Sequence, residues 1–234
     1  MGMTDIDGCE ARLGLIFKDR ALLEQAFVHG SYVNESGASD INSNERLEFL
    51  GDAVLGLVTA DELYRTRPAE SEGYLTRARA AVVRKETLAL VADELGIGDC
   101  LILGKGEEST GGRRKPGNLA NALEAVIGAA YLDQGYNAAR TLVLKHLGPR
   151  LELALDHEFA ANHKATLQEY LQAQDEPLPR YRTVSITGPD HKKHFTVQVL
   201  LRGESIGEGT GQTKKLAEAA AARSAWQRLH QKEA

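Results

Sequence analysis

The segment Asn44-Glu45-Arg46-Leu47-Glu48-Phe49-Leu50-Gly51-Asp52 sets three carboxylates at spacings of three and four residues. On a helix turning about 100° per residue, Glu45, Glu48 and Asp52 share an arc of about 60°. Leu47, Leu50, Val54 and Val58 fall on the opposite side, so one face is built for a core while the other concentrates negative charge. A second segment repeats the design. Asn121 and Glu124 are neighbours on one face, Leu119, Leu123, Val126 and Ala130 lie opposite, and Gly128 and Ala129 are small enough to admit another helix at close range. Like charges at helical spacing cost a fold about a few tenths of a kcal/mol per pair. What the stripe supplies is hard oxygen ligands of the kind Mg²⁺ takes, usually one or two carboxylates with water and phosphate oxygens. Two facing stripes would hold one or two such ions, the arrangement that phosphodiester hydrolysis uses to activate water and neutralise a leaving oxygen. A solvated acidic face screened by Arg46 would show the same pattern. Phe49 sits beside the carboxylates, away from its own helix's apolar row, and needs cover from a partner subunit or from the Asn34 to Asn44 stretch.

The elements that must position these residues can be read from periodicity. The chain has 234 residues, room for one or two domains. From Ala21 to Gly148 apolar residues recur at helical spacing. The breaks are Asn34 to Asn44, Arg67 to Gly73, and Gly104 to Gly117, the last a basic loop with Lys105, Arg113, Arg114 and Lys115. Asp156 to Lys164 is polar and reads as a linker, after which the period changes. Thr166 to Ala173 reads as a helix, Tyr181 to Ile186 and Phe195 to Leu201 as strands, Gly203 to Gly211 as a turn and third strand, and Thr213 to His230 as an alanine-rich helix. The order is α-β-β-β-α.

Charge follows the same division. Net charge is −5, but residues 164–234 hold 11 Lys/Arg against 8 Asp/Glu, leaving 17 against 25 in the rest. A basic module could hold a polyanion and an acidic one could hold cations. No apolar run approaches the roughly 18 residues of a membrane span, and Met1 to Glu10 has no signal-peptide core. Cys9 and Cys100 show neither metal-ligand spacing nor a disulfide framework, so they read as idle thiols in a reducing cytoplasm. The expectation is a cytoplasmic protein with no membrane partner and no small-molecule substrate.

Asn44 to Asp52 reproduces the signature of the ribonuclease III family. Gln25-Ala26-Phe27-Val28-His29-Gly30-Ser31-Tyr32 resembles that family's first conserved helix, Glu72-Gly73-Tyr74-Leu75-Thr76 a segment with another acidic residue, and Glu124-Ala125-Val126-Ile127-Gly128-Ala129 its second active-site helix. The resemblance covers nearly the whole chain. It implies an all-α endonuclease domain, residues 8–155, acting as a homodimer that cuts double-stranded RNA to 5′-phosphate and 3′-hydroxyl ends with short 3′ overhangs. Ribosomal RNA precursors and other structured RNAs, messenger RNA among them, would be the substrates. Glu48, Asp52, Asn121 and Glu124 match metal positions for Mg²⁺, with Mn²⁺ able to substitute. Asp52 and Glu124 would stand closest to the chemistry, with Glu45 and Glu72 as acidic residues of the catalytic valley. Phe49 matches the aromatic that enters a socket on the partner. One position departs: the family usually has Asp where this chain has Asn121. Asn keeps a ligating oxygen but loses a charge, so a duplex-binding dimer with weak or no cleavage is the competing expectation.

After a linker at 156–163, residues 164–232 resemble a double-stranded-RNA-binding domain, the small α+β part of the fold. Thr166-Leu167-Gln168-Glu169-Tyr170 resembles its first helix, Gly188-Pro189-Asp190-His191 its groove-reaching loop, and Gly211 to Glu218 the start of its last helix. Gln168, Glu169 and His191 could hydrogen-bond 2′-hydroxyls. Thr213, Lys214 and Lys215 stand at a helix N-terminus, where free amides and the dipole already favour phosphate. Trp226, inside an alanine-rich helix, reads as core.

Overall fold

The apolar rows of the first part of the chain fold as helices, in a computed structural model that describes residues 5–37, 42–189 and 192–230. The chain divides into two units, Met1–Glu152 and Leu153–Ala234. His191, expected at the RNA, lies outside the described residues. The helices are α1 (Ile6–Leu13), α2 (Arg20–Ala26), α3 (Gly30–Ser36), α4 (Glu45–Thr66), α5 (Glu72–Val83), α6 (Lys85–Glu94), α7 (Ile97–Cys100), α8 (Lys105–Ser109) and α9 (Pro116–Ala173). α9 breaks at Gly135, whose φ of 78° no side-chain-bearing residue adopts comfortably. Residues 156–163, expected as a linker, are helical within α9. That stretch contains neither Gly nor Pro, and Leu155 and Ala160 are buried. Polarity alone marked it as a linker.

Leu47, Val54, Leu55, Val58 and Leu63 of α4 are buried, as are Leu119, Leu123, Val126, Ala129 and Ala130 of α9. The two helices cross in backbone contact. A Cβ added to Gly51 would stand 1.7 Å from the Glu124 carbonyl oxygen, and one added to Gly128 would stand 2.3 Å from the Leu47 carbonyl oxygen. Only glycine fits at either point.

Two expectations need correction in this unit. Gly104 to Gly117 is not an open basic loop. It forms α8 and a 3₁₀ turn at Gly112–Arg114. Arg113 donates to the carbonyls of Leu101 (2.6 Å) and Gly98 (3.1 Å), and Glu107 receives Lys115 (2.9 Å) and Asn118 (2.7 Å). Counting local charge could not anticipate that these cations are consumed internally. Nor are Cys9 and Cys100 idle thiols: they form a disulfide joining α1 to α7, buried, with Arg12 Nη2 2.9 Å from Cys100 Sγ. A sequence separation of 91 residues carries no signal for that pairing. It arises because α1, which lies ahead of the periodicity read from Ala21, packs on α7.

The second unit contains the end of α9, then β1 (Arg180–Thr187), β2 (His194–Leu201), β3 (Glu204–Gly211) and α10 (Lys214–His230). The sheet is antiparallel in the order β1-β2-β3, with Tyr181 opposite Val199 and Val199 opposite Gly207. Gly207, Gly209 and Gly211 alternate along the face beneath α10. A Cβ at Gly209 would stand 2.2 Å from the Ala221 nitrogen, so bare backbone on one side meets alanines on the other. Leu167, Leu171, Val197, Val199, Ala217, Ala221, Ala222 and Ala225 form the core, with Trp226 packed against it. The α-β-β-β-α order read from the sequence is the order of this unit.

Candidate functional site

The acidic face of α4 is held in place at its first turn. Asn44 is buried; its backbone N–H donates to the Val28 carbonyl (2.8 Å) and its side-chain amide to the Ala26 carbonyl (3.2 Å). Val28 in turn bridges to Ile102. The helix therefore starts from a residue fixed to the α2 end, and Ser43 Oγ accepts from the Glu45 N–H (3.4 Å).

From that anchor Glu45 and Asp52 project exposed and Glu48 is half-buried. The Gly51–Gly128 crossing brings up Asn121 and Glu124 from α9, both half-buried. The Asn121 side chain acts on Glu48 from across the two helices, lowering its carboxyl. Burial first, then repulsion from Asp52 and Glu48, pushes the Glu124 carboxyl up to about 7. Burial and then the Glu45 charge push Glu48 upward too. The two sequence stripes thus face one another, and the negative charge concentrated between them is uncomfortable without a cation. All donors are hard oxygens. Among the described residues no three His, Cys, Asp or Glu side chains are gathered closely enough to hold a metal ion by themselves. The donor set fits an open site whose coordination water and a phosphate would complete.

Glu72 stands apart from this cluster. It is exposed on the first turn of α5, accepts from Thr76 Oγ1 (2.8 Å), and lines a groove with Leu63, Tyr64 and Arg79. Its charge is not among those shifting Glu48 or Glu124. Phe49 is 81% exposed at the rim of a groove lined by Leu22, Gln25, Glu45, Leu50 and Leu132.

One side chain of the site went unread in the sequence. Lys85, the first residue of α6, lowers the carboxyls of both Glu48 and Glu124 by its charge. No spacing rule links it to α4 or α9; the only sequence signal was a basic residue at a helix start.

In the second unit Gln168 and Glu169 are exposed on α9, and Lys214 and Lys215 are exposed on the first turn of α10. Thr213 Oγ1 accepts from the Leu216 N–H (3.2 Å), so its hydroxyl caps the helix. A Lys164–Glu218 ion pair ties the two helices together one turn from Gln168 and one turn from Lys214.

The family model described as Ribonuclease-III-like matches residues 19–151, and the one described as Double-stranded RNA binding motif matches residues 163–229. The protein called Ribonuclease 3 from Pelotomaculum thermopropionicum is 46% identical over 214 residues, covering 92% of this chain and 89% of that one. Ribonuclease 3 from Streptomyces coelicolor is 48% identical over 220 residues, covering 94% of this chain and 78% of the relative. Among solved structures, the nuclease domain of the Campylobacter jejuni ribonuclease III matches with a TM-score of 0.58 and 39% identity, covering 62% of this chain and 97% of that chain; its title refers to a region involved in dimer formation.

Proposed function

The chain belongs to the ribonuclease III family, and we propose that it cuts double-stranded RNA at the facing carboxylates of α4 and α9 with a divalent ion. As a member of that family it is an endoribonuclease, a hydrolase. The observation that carries the reading of the site is the glycine crossing, which apposes Glu48 and Asp52 with Asn121 and Glu124 and raises the Glu124 carboxyl. These four residues would hold Mg²⁺, with Mn²⁺ as a substitute. When bound, the ion supplies an activated water and neutralises the leaving 3′-oxygen. Glu48, Asp52 and Glu124 contribute anionic oxygens and Asn121 a neutral one. Asp52 and Glu124 stand nearest the scissile phosphate, and the products carry 5′-phosphate and 3′-hydroxyl ends with short 3′ overhangs.

A homodimer is supported by Phe49, an exposed aromatic beside an apolar-rimmed groove on the same face, so that two copies could exchange one for the other. Glu45 and Glu72 would then line the shared valley. Gln168, Glu169, His191, Thr213, Lys214 and Lys215 would bind the duplex. Among the described residues no helix is long and apolar enough to cross a membrane. Cytoplasmic processing of ribosomal RNA precursors and other structured RNAs is the role that fits. The non-cutting dimer rested on Asn121 alone and is not favoured, because that side chain still lies at the cluster, close enough to lower the Glu48 carboxyl.

The test is direct. Purified protein with Mg²⁺ is expected to convert long duplex RNA into short duplexes, and EDTA is expected to stop it. Tight duplex binding without cleavage in either Mg²⁺ or Mn²⁺ would overturn the reading. Separately, changing Lys214 and Lys215 together to Ala is expected to weaken duplex binding across sequences and to make its salt dependence shallower by about 2 in log–log slope. A slope unchanged in a filter-binding titration would place those lysines off the phosphates.

A further inference from the structure

Lys85 has no assigned part in the chemistry, yet its placement is specific. It opens α6 directly after Arg84, whose Nε donates to Thr87 Oγ1 (3.1 Å) and whose extended backbone sets the helix start. The Lys85 ammonium stands 3.9 Å from where a Gly117 side chain would begin. Gly117, Asn121 and Glu124 follow one another at four and three residues, one face of α9. The ammonium therefore lies over the first turn of that helix, on the face that carries the site, and Gly117 leaves it room. Its charge is felt by one carboxylate on each helix, Glu48 and Glu124. It forms no direct ion pair with either among the described residues. Asn121 contributes here as well: with a neutral residue on the turn between Gly117 and Glu124, no carboxylate at that position captures the amine.

An ammonium that borders a site built to receive a phosphodiester, and that is not neutralised by the carboxylates beside it, has a natural partner in the substrate. We propose that Lys85 is a catalytic residue, contacting a non-bridging oxygen of the scissile phosphate and stabilising the negative charge that grows there as the bond breaks. The inference rests on the reading of the facing carboxylates as the cutting centre. In the step, a water oxygen bonds to phosphorus and the water gives up one proton to solvent, the bond from phosphorus to the 3′-oxygen breaks, and that oxygen leaves with the electron pair and takes a proton from solvent. Lys85 keeps its proton throughout and acts as a fixed charge. The other role open to a cation here is to relieve repulsion among the carboxylates, and the two roles predict opposite metal behaviour.

Single-turnover cleavage of duplex RNA by the full chain separates them, comparing the unmodified protein with Lys85→Ala, Lys85→Arg and Glu124→Gln across a Mg²⁺ titration. At saturating Mg²⁺, Lys85→Ala is expected to slow cleavage by about 10²-fold. Duplex binding in Ca²⁺ should be unchanged, and Lys85→Arg should recover part of the rate. Lys85 is exposed, so thermal melts of the variants should match the unmodified protein; Lys85→Gln serves as the second variant if Ala disturbs the helix start. A full rate for Lys85→Ala at saturating Mg²⁺, reached at a lower Mg²⁺ concentration than before, would overturn the proposal in favour of charge relief. If Glu124→Gln is inactive while Lys85→Ala is unaffected, only this inference falls. If Glu124→Gln also cuts at the full rate, the site reading beneath it falls.

Discussion

Glu124→Gln is expected to slow duplex cleavage by on the order of 10³-fold at saturating Mg²⁺, because metal-borne charge stabilisation is worth several kcal/mol and each 1.36 kcal/mol is a factor of ten. Duplex binding should survive, since the residue lies outside the RNA-binding unit. Gln preserves size and hydrogen-bonding capacity, so what is removed is the one anionic ligand on α9. The position is chosen for its surroundings: Glu124 is half-buried between Asp52 and Glu48, and its carboxyl is held up at about 7. A cation entering there must displace a proton. The Mg²⁺ concentration required should therefore rise as pH falls through about 7, and Glu124→Gln should flatten that dependence. The stability consequence has a definite sign. The folded-state value lies above the ordinary 4.5, so the metal-free fold binds the extra proton between these values. This group's contribution is fully present below 4.5 and is lost as pH rises through about 7. Mg²⁺ should raise the melting temperature more at pH 8 than at pH 6. Equal shifts at the two pH values, with cleavage by Glu124→Gln near that of the unmodified protein, would place the metal elsewhere.

Gly51→Ala is expected to cost about 3 kcal/mol of stability, a fall in Tm of roughly 10 °C, from one added methyl. The added carbon would stand 1.7 Å from the Glu124 carbonyl oxygen and 2.5 Å from its carbonyl carbon. Both are backbone atoms, so no rotamer change can relieve the clash and α4 must move away from α9. Glu48 and Asp52 move with it, so cleavage should fall even at temperatures where the variant remains folded. Gly56 on the same helix is the control: nothing lies within 4 Å of a Cβ placed there. Gly56→Ala is expected to be neutral or to gain up to about 1 kcal/mol from helix propensity. Matching melts for Gly51→Ala and Gly56→Ala would mean the helices do not cross in backbone contact.

Much of this could be read in the chain before any coordinates. The three-and-four spacing of Leu47, Val54 and Val58 marks the buried side of α4 and thereby fixes Glu45, Glu48 and Asp52 on the other, because a helix has one geometry and its faces follow from arithmetic. The same arithmetic separates Asn121 and Glu124 from the core of α9 and sets Gly128 on their face, within about 40° of each. Strand alternation at Tyr181 and Val197 survives because a two-residue period is equally local. Phe49 could be recognised as out of place on its helix, and in the fold it stands 81% exposed.

What failed or stayed silent had a different range. Cys9 meets Cys100, Arg113 reaches the Leu101 carbonyl, and Lys85 arrives over Gly117, each through packing between elements. Spacing along a chain encodes only which residues share a face of one element. It holds no distance between faces of two. The sequence by itself determined the helices, their acidic sides and the small residues that permit close approach. Only the tertiary structure decided that Gly51 lies on Glu124, bringing two acidic sides into one electrostatic field. That decision comes from burying the apolar rows of both helices at once, a collective gain that no single stretch of residues contains.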